Sequence, residues 1–317
     1  MKLLVTRRMT PAAKSAISAR FDAEFRDSNT PLTLDEAMAA LNGYDAILPT
    51  LGDAFQSPAF CAAPLRTRIL ANFGVGYNHI DIAAAKSVGI SVTNTPDVVT
   101  GATADLAVTL LLMTARRAGE GERLARRGDW TGWHPTQMLG TGVSGKTVGI
   151  IGMGRIGKAI ARRLHLGFGM EVLFFNRSTV SALDFPARQL PEITDVMAQS
   201  DFVILAVPGG AETHHLIGTD ALTALGPEGI LINIARGDVV EEAALIAALT
   251  GKRIRAAGLD VYENEPLIPD TLRALDNVVL LPHLGTAVEQ TRTAMALRAL
   301  DNLIAYIEDR PLPDIID

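Results

Sequence analysis

Three closely spaced glycines, Gly152, Gly154 and Gly157, lie within the sequence TVGIIGMGRIGKAIARRL. The apolar run before them and the basic amphipathic run after them predict a strand that turns tightly into a helix. In a dinucleotide fingerprint the first glycine allows the turn, the second lets a pyrophosphate approach the backbone, and the third lets the helix pack on the strand. The phosphates then meet unpaired N–H groups at the positive helix end. We therefore expect dinucleotide binding, with a tight turn that binds no ligand as the alternative.

The residues after the next predicted strand should decide which dinucleotide binds. NAD enzymes usually carry Asp or Glu there, about 20 residues beyond the glycines, to accept hydrogen bonds from the ribose 2′-hydroxyl. This sequence has Asn176, Arg177 and Ser178. A carboxylate would repel a 2′-phosphate, whereas Arg177 can pair with it and Ser178 can donate to it. The sequence favours NADP, and the alternative is that Arg177 is a solvated loop residue in a protein that binds NAD.

Three further polar residues follow apolar, strand-like runs. Arg236 follows GILINIA, Glu265 lies in DVYENEPL, and His283 follows VVLLP. Ligands of open α/β sheets bind beyond the carboxyl ends of the strands, so we expect these side chains to project toward one cleft. The glycine-rich residues 72–77 follow another such run, and their N–H groups could hold a carboxylate. A glycine turn without a ligand is equally consistent with residues 72–77.

Strand-like runs alternate with helical patterns along the chain, which predicts parallel sheets. Four runs precede residue 100, at residues 2–7, 44–50, 68–74 and 90–95. The fingerprint strand begins a second series, which continues at residues 171–178, 201–208, 229–237, 254–262 and 277–285. A long connecting helix is expected from about residue 102 to about 127, interrupted near two glycines. A capping box at residues 286–289 is expected to start a last helix, which runs to about residue 309 and returns to the first domain.

Composition restricts the class of protein. With 317 residues and 48% hydrophobic content, two domains are expected. The net charge of −6 argues against a protein that binds nucleic acid through a positively charged surface. Cys61 is the only cysteine, so no internal disulfide can form. Neither a leader pattern nor an 18-residue apolar run is present, which favours a cytoplasmic protein with no membrane partner. No metal is expected, because the remaining histidines show no ligand spacing: His79, His134, His165, His214 and His215.

The segments INIARGDVVEEAAL, AAGLDVYENEPL and LLPHLGTA resemble the D-isomer-specific 2-hydroxyacid dehydrogenase family, and the similarity covers almost the whole chain. Within that family, NFGVGYNHID, PDVVTGATADLAVTLLL and the Asn-Arg-Ser triplet look most like the glyoxylate/hydroxypyruvate reductases. The resemblance implies that a nicotinamide delivers hydride to a keto carbon while His283 protonates the oxygen. It also implies that Glu265 hydrogen-bonds the imidazole and that Arg236 holds the 2-keto-carboxylate and polarises its carbonyl.

The resemblance implies further contacts. Val75 and Gly76 match the backbone pair that binds the substrate carboxylate. Beyond the glycines and the Asn-Arg-Ser triplet, the positions that would touch the cofactor are Thr103, Arg155, Ile156, Pro208, Thr213, Ile234, Asp260 and Gly285. Among these, Asp260 would face the nicotinamide amide.

The expected fold is α/β with two doubly wound parallel-sheet domains, a Rossmann-type cofactor domain inserted in a flavodoxin-like substrate domain. The substrate domain would comprise residues 1–98 and 287–317, and the cofactor domain residues 99–286. The expected reaction is NADPH-dependent reduction of glyoxylate or hydroxypyruvate, with NAD(H) as a possible cofactor.

Three alternatives remain. A 3-phosphoglycerate dehydrogenase or another NAD-dependent D-2-hydroxyacid dehydrogenase would be expected to have an acidic residue near position 176, where this sequence has asparagine. A formate dehydrogenase would carry glutamine in place of Glu265. A dinucleotide-sensing binding protein would keep the fold without turnover, because fold alone does not establish function.

The two tryptophans lie in GDWTGWHPTQMLG, between the connecting helix and the fingerprint strand. Large apolar rings in such a loop are usually covered by something. Trp130 is expected to pack on its own domain. Trp133 matches a reductase position at which the tryptophan of one subunit reaches the active site of the other. The resemblance therefore implies a homodimer in which Trp133 contributes to substrate binding.

Overall fold

The computed structural model describes residues 1–61 and 65–316. The predicted substrate domain also includes residues 62–64 and 317, which lie outside the described residues. The chain folds into two compact units, one formed by Met1–Val99 with the segment from Thr286 onward and the other by Thr100–Gly285. Each unit contains one sheet of parallel strands, so the expected α/β class with two parallel-sheet domains is confirmed.

The first unit has a five-stranded sheet in the order β2-β1-β3-β4-β5, the strand order of flavodoxin-like sheets. Leu3 and Val5 face a core that includes Leu303, whereas Leu4 and Ile47 face a second core on the opposite side. The sheet is therefore buried on both faces, as parallel sheets require. Its elements are β1 (Lys2–Val5), α1 (Pro11–Ser18), β2 (Asp22–Phe25), α2 (Leu34–Gly43), β3 (Ala46–Leu48), β4 (Ile69–Ala71), α3 (Ile82–Ser87) and β5 (Ser91–Thr93).

The second unit has a seven-stranded sheet in the order β12-β11-β10-β9-β6-β7-β8. The order reverses between β6 and β9, which makes the carboxyl end of β6 the position where a doubly wound sheet binds its ligand. Its elements are α4 (Thr100–Ala115), α5 (Ala118–Arg127), β6 (Thr147–Ile151), α6 (Arg155–Phe168), β7 (Glu171–Phe175), β8 (Arg188–Gln189), α7 (Ile193–Ala198), β9 (Phe202–Leu205), α8 (Thr219–Leu225), β10 (Ile230–Asn233), α9 (Glu242–Thr250), β11 (Ala256–Leu259), α10 (Asp270–Arg273) and β12 (Val278–Leu280).

Two strands, β2 and β8, are absent from the sequence-based prediction. Both are at an edge of their sheet, and neither contains a buried residue. An edge strand covered on only one side needs few apolar residues, so its pattern resembles that of a loop.

The predicted long helix from residue 102 to 127 is wrong, because the structure has two helices in this region. The break lies between α4 and α5, at Arg117, which has the left-handed φ of 54°. Gly119 and Gly121, the expected interruptions, lie inside α5. The Arg117 side chain also ion-pairs with Glu120, an interaction that stabilises the start of the second helix.

The predicted capping box at residues 286–289 is also wrong. The last helix, α11 (Glu289–Ile307), begins after Val288, and no side chain caps it. The Val288 N–H instead donates to the Thr286 carbonyl at 2.7 Å, which closes a turn before the helix. The helix packs on α1 and β4 of the first unit, where the Thr10 and Thr293 hydroxyls lie 2.7 Å apart.

No helix within the described part of the chain is both long and apolar enough to cross a membrane.

Candidate active site

The glycine fingerprint forms the turn between β6 and α6. Gly152 has φ of 99°, and a Cβ there would lie 2.7 Å from the Ala206 carbonyl oxygen. A Cβ on Gly157 would lie 2.1 Å from the Gly152 oxygen, so only glycine permits the close packing of helix and strand. Gly154 precedes the first helical residue, and a Cβ there would meet nothing within 4 Å. The turn thus leaves space beside the α6 N-terminus, which fits a bound pyrophosphate.

The residues after β7 are attached to this turn. The Asn176 Oδ1 atom accepts the Met153 N–H at 3.3 Å, and its Nδ2 donates to the Ser178 carbonyl at 3.0 Å and hydroxyl at 3.1 Å. Asn176 therefore fixes the backbone of the triplet relative to the fingerprint. Arg177 extends into solvent and forms an ion pair with Glu212.

The loop after β9 contributes two of the expected cofactor positions. The Thr213 hydroxyl donates to the Pro208 carbonyl at 2.8 Å and also lies 3.2 Å from the Gly210 carbonyl oxygen. These contacts form a compact turn that ends in a short 3₁₀ helix, Ala211–Thr213. Thr213 thus has a structural contact in addition to its expected place beside the cofactor.

Thr103, Asp260 and Gly285 lie together. A Cβ on Gly285 would be 3.5 Å from Asp260 Oδ2 and 3.8 Å from the Thr103 hydroxyl. Ile234, at the carboxyl end of β10, is buried. Arg155 and Ile156, which are expected to touch the cofactor, are the first two residues of α6.

Arg236 follows β10, and its position depends on Asn233. The Asn233 side chain accepts the Ala235 N–H at 3.0 Å and donates to the Arg236 carbonyl at 2.9 Å. The Arg236 guanidinium donates through Nη1 to the Ala235 carbonyl at 2.7 Å, while its buried Nε has no hydrogen-bond partner among the described residues. Burial lowers the pKa of Arg236, although the charges of Glu265 and Asp238 act in the opposite direction.

A tight backbone contact sets the distance between the loops after β10 and β11. A Cβ on Gly237 would lie 1.8 Å from the Tyr262 carbonyl carbon, so no other residue fits there. Tyr262 is fixed by its hydroxyl, which donates to the Leu281 carbonyl at 2.8 Å, and burial raises its pKa. The loops that carry Arg236 and Glu265 are consequently packed backbone to backbone.

Glu265 and His283 form a hydrogen-bonded pair. The Glu265 Oε2 atom lies 2.8 Å from His283 Nδ1, and Oε1 accepts the Tyr262 N–H at 3.1 Å. Burial alone would raise the pKa of Glu265, but the hydrogen bond and charge of His283, the Tyr262 N–H and Arg236 outweigh it and lower this pKa. About a third of each side chain remains exposed, so the pair is accessible.

Asp260 positions the backbone that carries His283. Its carboxylate accepts the N–H groups of Leu284 at 2.6 Å and Gly285 at 2.9 Å, and its carbonyl accepts the His283 N–H at 3.0 Å. Burial raises the pKa of Asp260, although these N–H groups and His283 act against that rise. The sequence indicated a cofactor contact for Asp260 but not this backbone role.

His214 and His215, for which no role was expected, lie in the loop after β9. Their rings stack with centroids 3.9 Å apart, and His215 Nε2 lies 3.0 Å from Glu263 Oε1. The His215 N–H donates to the Asp238 carbonyl at 2.7 Å. This histidine therefore joins the loops after β9, β10 and β11. Its positive φ of 50° is a tertiary feature that no sequence pattern marks.

In the first unit, Asn72 holds the loop that contains Val75 and Gly76. The buried Asn72 amide donates to the carbonyls of Gly74 and Gly76, both at 3.1 Å, and Asn94 donates to the Val75 carbonyl at 2.9 Å. No acceptor among the described residues takes the N–H groups of Val75 and Gly76. The loop can therefore present both groups to an anion.

The tryptophans are exposed in the single chain. Trp133 is 77% exposed and Trp130 is 57% exposed, so the expectation that Trp130 packs on its own domain is wrong. Leu139, in the same segment between α5 and β6, is 63% exposed.

Comparisons with known proteins identify the family to which this chain belongs. The family model described as D-isomer specific 2-hydroxyacid dehydrogenase, NAD binding domain, matches residues 108–285. Glyoxylate reductases from Thermococcus kodakarensis and Pyrococcus furiosus are each 41% identical to this chain over its full length, and the matches cover 96% and 95% of those proteins.

A solved structure is similarly close. It is the NADPH-dependent glyoxylate/hydroxypyruvate reductase from Sinorhizobium meliloti in complex with NADP and malonate, with a TM-score of 0.87 and 37% identity. The superposition covers 99% of this chain and 96% of that one. The agreement extends over both units, and the chain belongs to the D-isomer-specific 2-hydroxyacid dehydrogenase family.

Proposed function

We propose that this protein reduces a small 2-keto acid, glyoxylate or hydroxypyruvate, to glycolate or D-glycerate with NADPH. The observation that carries the proposal is the 2.8 Å contact between His283 and Glu265, on loops that follow neighbouring strands of the cofactor-binding sheet. A carboxylate-bound imidazole is suited to proton transfer rather than to cofactor binding alone. The reductases from Thermococcus, Pyrococcus and Sinorhizobium support the same reaction class.

Each residue has a distinct part in the proposed reaction. The bound nicotinamide supplies the hydride. His283, held through Nδ1 by Glu265, donates its Nε2 proton to the keto oxygen as charge develops there. The Arg236 guanidinium, whose Nε has no hydrogen-bond partner among the described residues, binds the substrate carboxylate and polarises its carbonyl. The N–H groups of Val75 and Gly76 are suited to binding a carboxylate, which is the role that the family resemblance implies for them.

NADPH rather than NADH is proposed from the residues after β7. Asn176 is occupied with the fingerprint turn, and no carboxylate follows this strand to accept from a ribose 2′-hydroxyl. Arg177 and Ser178 can instead bind a 2′-phosphate. The Sinorhizobium relative is described as NADPH-dependent and contains NADP, which supports this choice.

Steady-state kinetics test both parts. Glyoxylate, hydroxypyruvate, pyruvate, phenylpyruvate and 3-phosphohydroxypyruvate would each be assayed with NADPH and with NADH. We expect the highest kcat/KM for one of the first two substrates with NADPH. Equal or faster turnover with NADH would refute the cofactor assignment. A preference for 3-phosphohydroxypyruvate with NADH would identify a 3-phosphoglycerate dehydrogenase, and tight cofactor binding without any turnover would indicate a dinucleotide sensor.

We also propose a homodimer built on the loop that contains Trp133. Trp130, Trp133 and Leu139 are three large apolar side chains that are each more than half exposed in one short segment, and such side chains are often covered by a partner. A two-fold axis would let each copy cover the other's loop. In this arrangement Trp133 of each subunit narrows the substrate pocket of its partner, as the family resemblance implies.

A further inference from the structure

The ion pair between Arg177 and Glu212 connects two loops on either side of the fingerprint strand. Arg177 follows β7 and Glu212 lies after β9, and these two strands flank β6 in the sheet. Since the glycine turn follows β6, the pair spans the edge of the sheet where the dinucleotide is expected. Glu212 can therefore affect Arg177, the residue proposed to bind the 2′-phosphate.

Both ends of the pair have backbones held by hydrogen bonds and side chains exposed to solvent. Asn176 holds the Arg177 loop, and Gln189 adds a bond from Nε2 to the Asn176 carbonyl at 3.1 Å. Thr213 holds the Glu212 loop through the Pro208 carbonyl at 2.8 Å. The Arg177 and Glu212 side chains, in contrast, are 75% and 76% exposed. Arg177 can thus exchange its partner by side-chain rotation alone.

The exchange has a predictable direction. An exposed ion pair contributes little to stability, whereas a phosphate brings more charge and more acceptor oxygens than a carboxylate. A 2′-phosphate can therefore displace Glu212 from Arg177. Glu212 nevertheless stays on its fixed loop, where its negative charge opposes the phosphate. A ribose that carries only a 2′-hydroxyl needs no such displacement.

We propose that Glu212 is a specificity-determining residue that competes with the cofactor 2′-phosphate for Arg177 and so limits the preference for NADPH over NADH. The inference rests on the proposed function, in which Arg177 binds that phosphate. It adds that NADPH selectivity is set by a pair of residues on two loops rather than by the β7 triplet alone.

The experiment measures binding of two nucleotide fragments, so that no turnover is needed. Dissociation constants of adenosine 2′,5′-bisphosphate and of 5′-AMP would be determined by calorimetry for wild type, Glu212→Gln and Arg177→Ala. Glu212→Gln should tighten binding of the bisphosphate about three- to tenfold, the size expected for removing one nearby like charge in water. It should change 5′-AMP binding less than about twofold, which also shows that the fold is intact. The gain should shrink in high salt because the interaction is exposed.

Glu228→Gln is the matched control, because Glu228 forms another exposed ion pair in the same unit, with Arg255. It precedes β10, at the opposite end of the strands from the glycine turn, and should change neither dissociation constant. In the Arg177→Ala background, the effect of Glu212→Gln should be smaller, since competition for Arg177 is gone.

The outcomes separate the two proposals. If Arg177→Ala weakens bisphosphate binding but Glu212→Gln leaves it unchanged or weaker, the role of Glu212 is refuted and the NADPH assignment stands. If Arg177→Ala leaves bisphosphate binding unchanged, Arg177 does not bind the 2′-phosphate, and both proposals fail.

Discussion

The Nδ1 atom of His283 lies 2.8 Å from Oε2 of Glu265, which leaves Nε2 as the ring nitrogen that can exchange a proton with a substrate. His283 also has φ of 53°, a value that costs energy for a side chain other than glycine. Three hydrogen bonds to Asp260, from the N–H groups of residues 283, 284 and 285, hold this conformation. The orientation of the ring therefore depends on two acidic residues. Glu265 binds the imidazole, and Asp260 binds the backbone of residues 283–285.

Replacing His283 should abolish proton transfer without affecting the cofactor site. His283→Ala is expected to lower kcat by about 10²–10⁴, the usual range for a positioned general acid, while the cofactor dissociation constant barely changes. Because alanine tolerates the positive φ poorly, His283→Asn is the matched variant, since asparagine adopts this conformation more readily. Both variants should lose kcat to a similar extent. Near-native kcat in either one would show that another group is the proton donor.

Acid unfolding should reveal the lowered pKa of Glu265, whose ordinary value is 4.5. A carboxyl with a lowered pKa stabilises the fold above its unfolded pKa, and this contribution is lost as the pH falls through the folded value. Glu265→Gln should therefore lower the free energy of unfolding by about 1–2 kcal/mol near neutral pH. The difference from wild type should shrink below about pH 4.5. Urea titrations at about pH 7 and about pH 4 measure the free energy of unfolding of wild type and variant at each pH. Glu228→Gln is the control, and we expect it to change this free energy little at either pH.

A difference between wild type and Glu265→Gln that stays constant or grows in acid would mean that the hydrogen bond with His283 does not favour the ionised carboxylate.

Adding one methyl group at Gly237 should disrupt the site from the backbone. A Cβ there would overlap the Tyr262 carbonyl carbon at 1.8 Å, so the loops carrying Arg236 and Glu265 would have to separate. We expect Gly237→Ala to lower the free energy of unfolding by about 3 kcal/mol or more and to raise KM for the keto acid. Gly142→Ala is the control, because a Cβ at Gly142 meets nothing within 4 Å. Equal thermal stability of the two variants would contradict the packing argument.

Trp133→Ala tests the proposed dimer and its pocket together. Removing a ring that is 77% exposed in the single chain should have little effect on the stability of an isolated subunit. In the proposed dimer it should weaken association in analytical ultracentrifugation and raise KM for small keto acids about tenfold. Leu166→Ala, at a residue 60% exposed on α6, is the control for a generic surface change. A fully active, monomeric wild-type protein would overturn the dimer and the pocket role of Trp133.

The α/β class, the nucleotide fingerprint and the polar residues at the strand ends are all predictable from the order of residues along the chain. Strands that are buried on both faces consist of continuous apolar runs, and the runs in β6, β9 and β10 therefore predict these strands. The glycine spacing is also recognisable in the sequence, because close contacts at Gly152 and Gly157 and the positive φ of Gly152 exclude larger residues at two of the three positions. Parallel strands bring their carboxyl ends to one edge, which is why Arg236, Glu265 and His283 could be expected together.

The residues that support these side chains become apparent only in the folded chain. The edge strands β2 and β8 depend on pairing with a neighbouring strand rather than on a local apolar pattern, and the left-handed conformation of Arg117 has no marker in the sequence. The contacts of Asn233 with its loop, of Asp260 with the His283 backbone and of Glu212 with Arg177 are set by side chains meeting across loops. Hydrophobic periodicity carries no information about such polar partners, because their energies come from geometry that exists only after the strands have assembled.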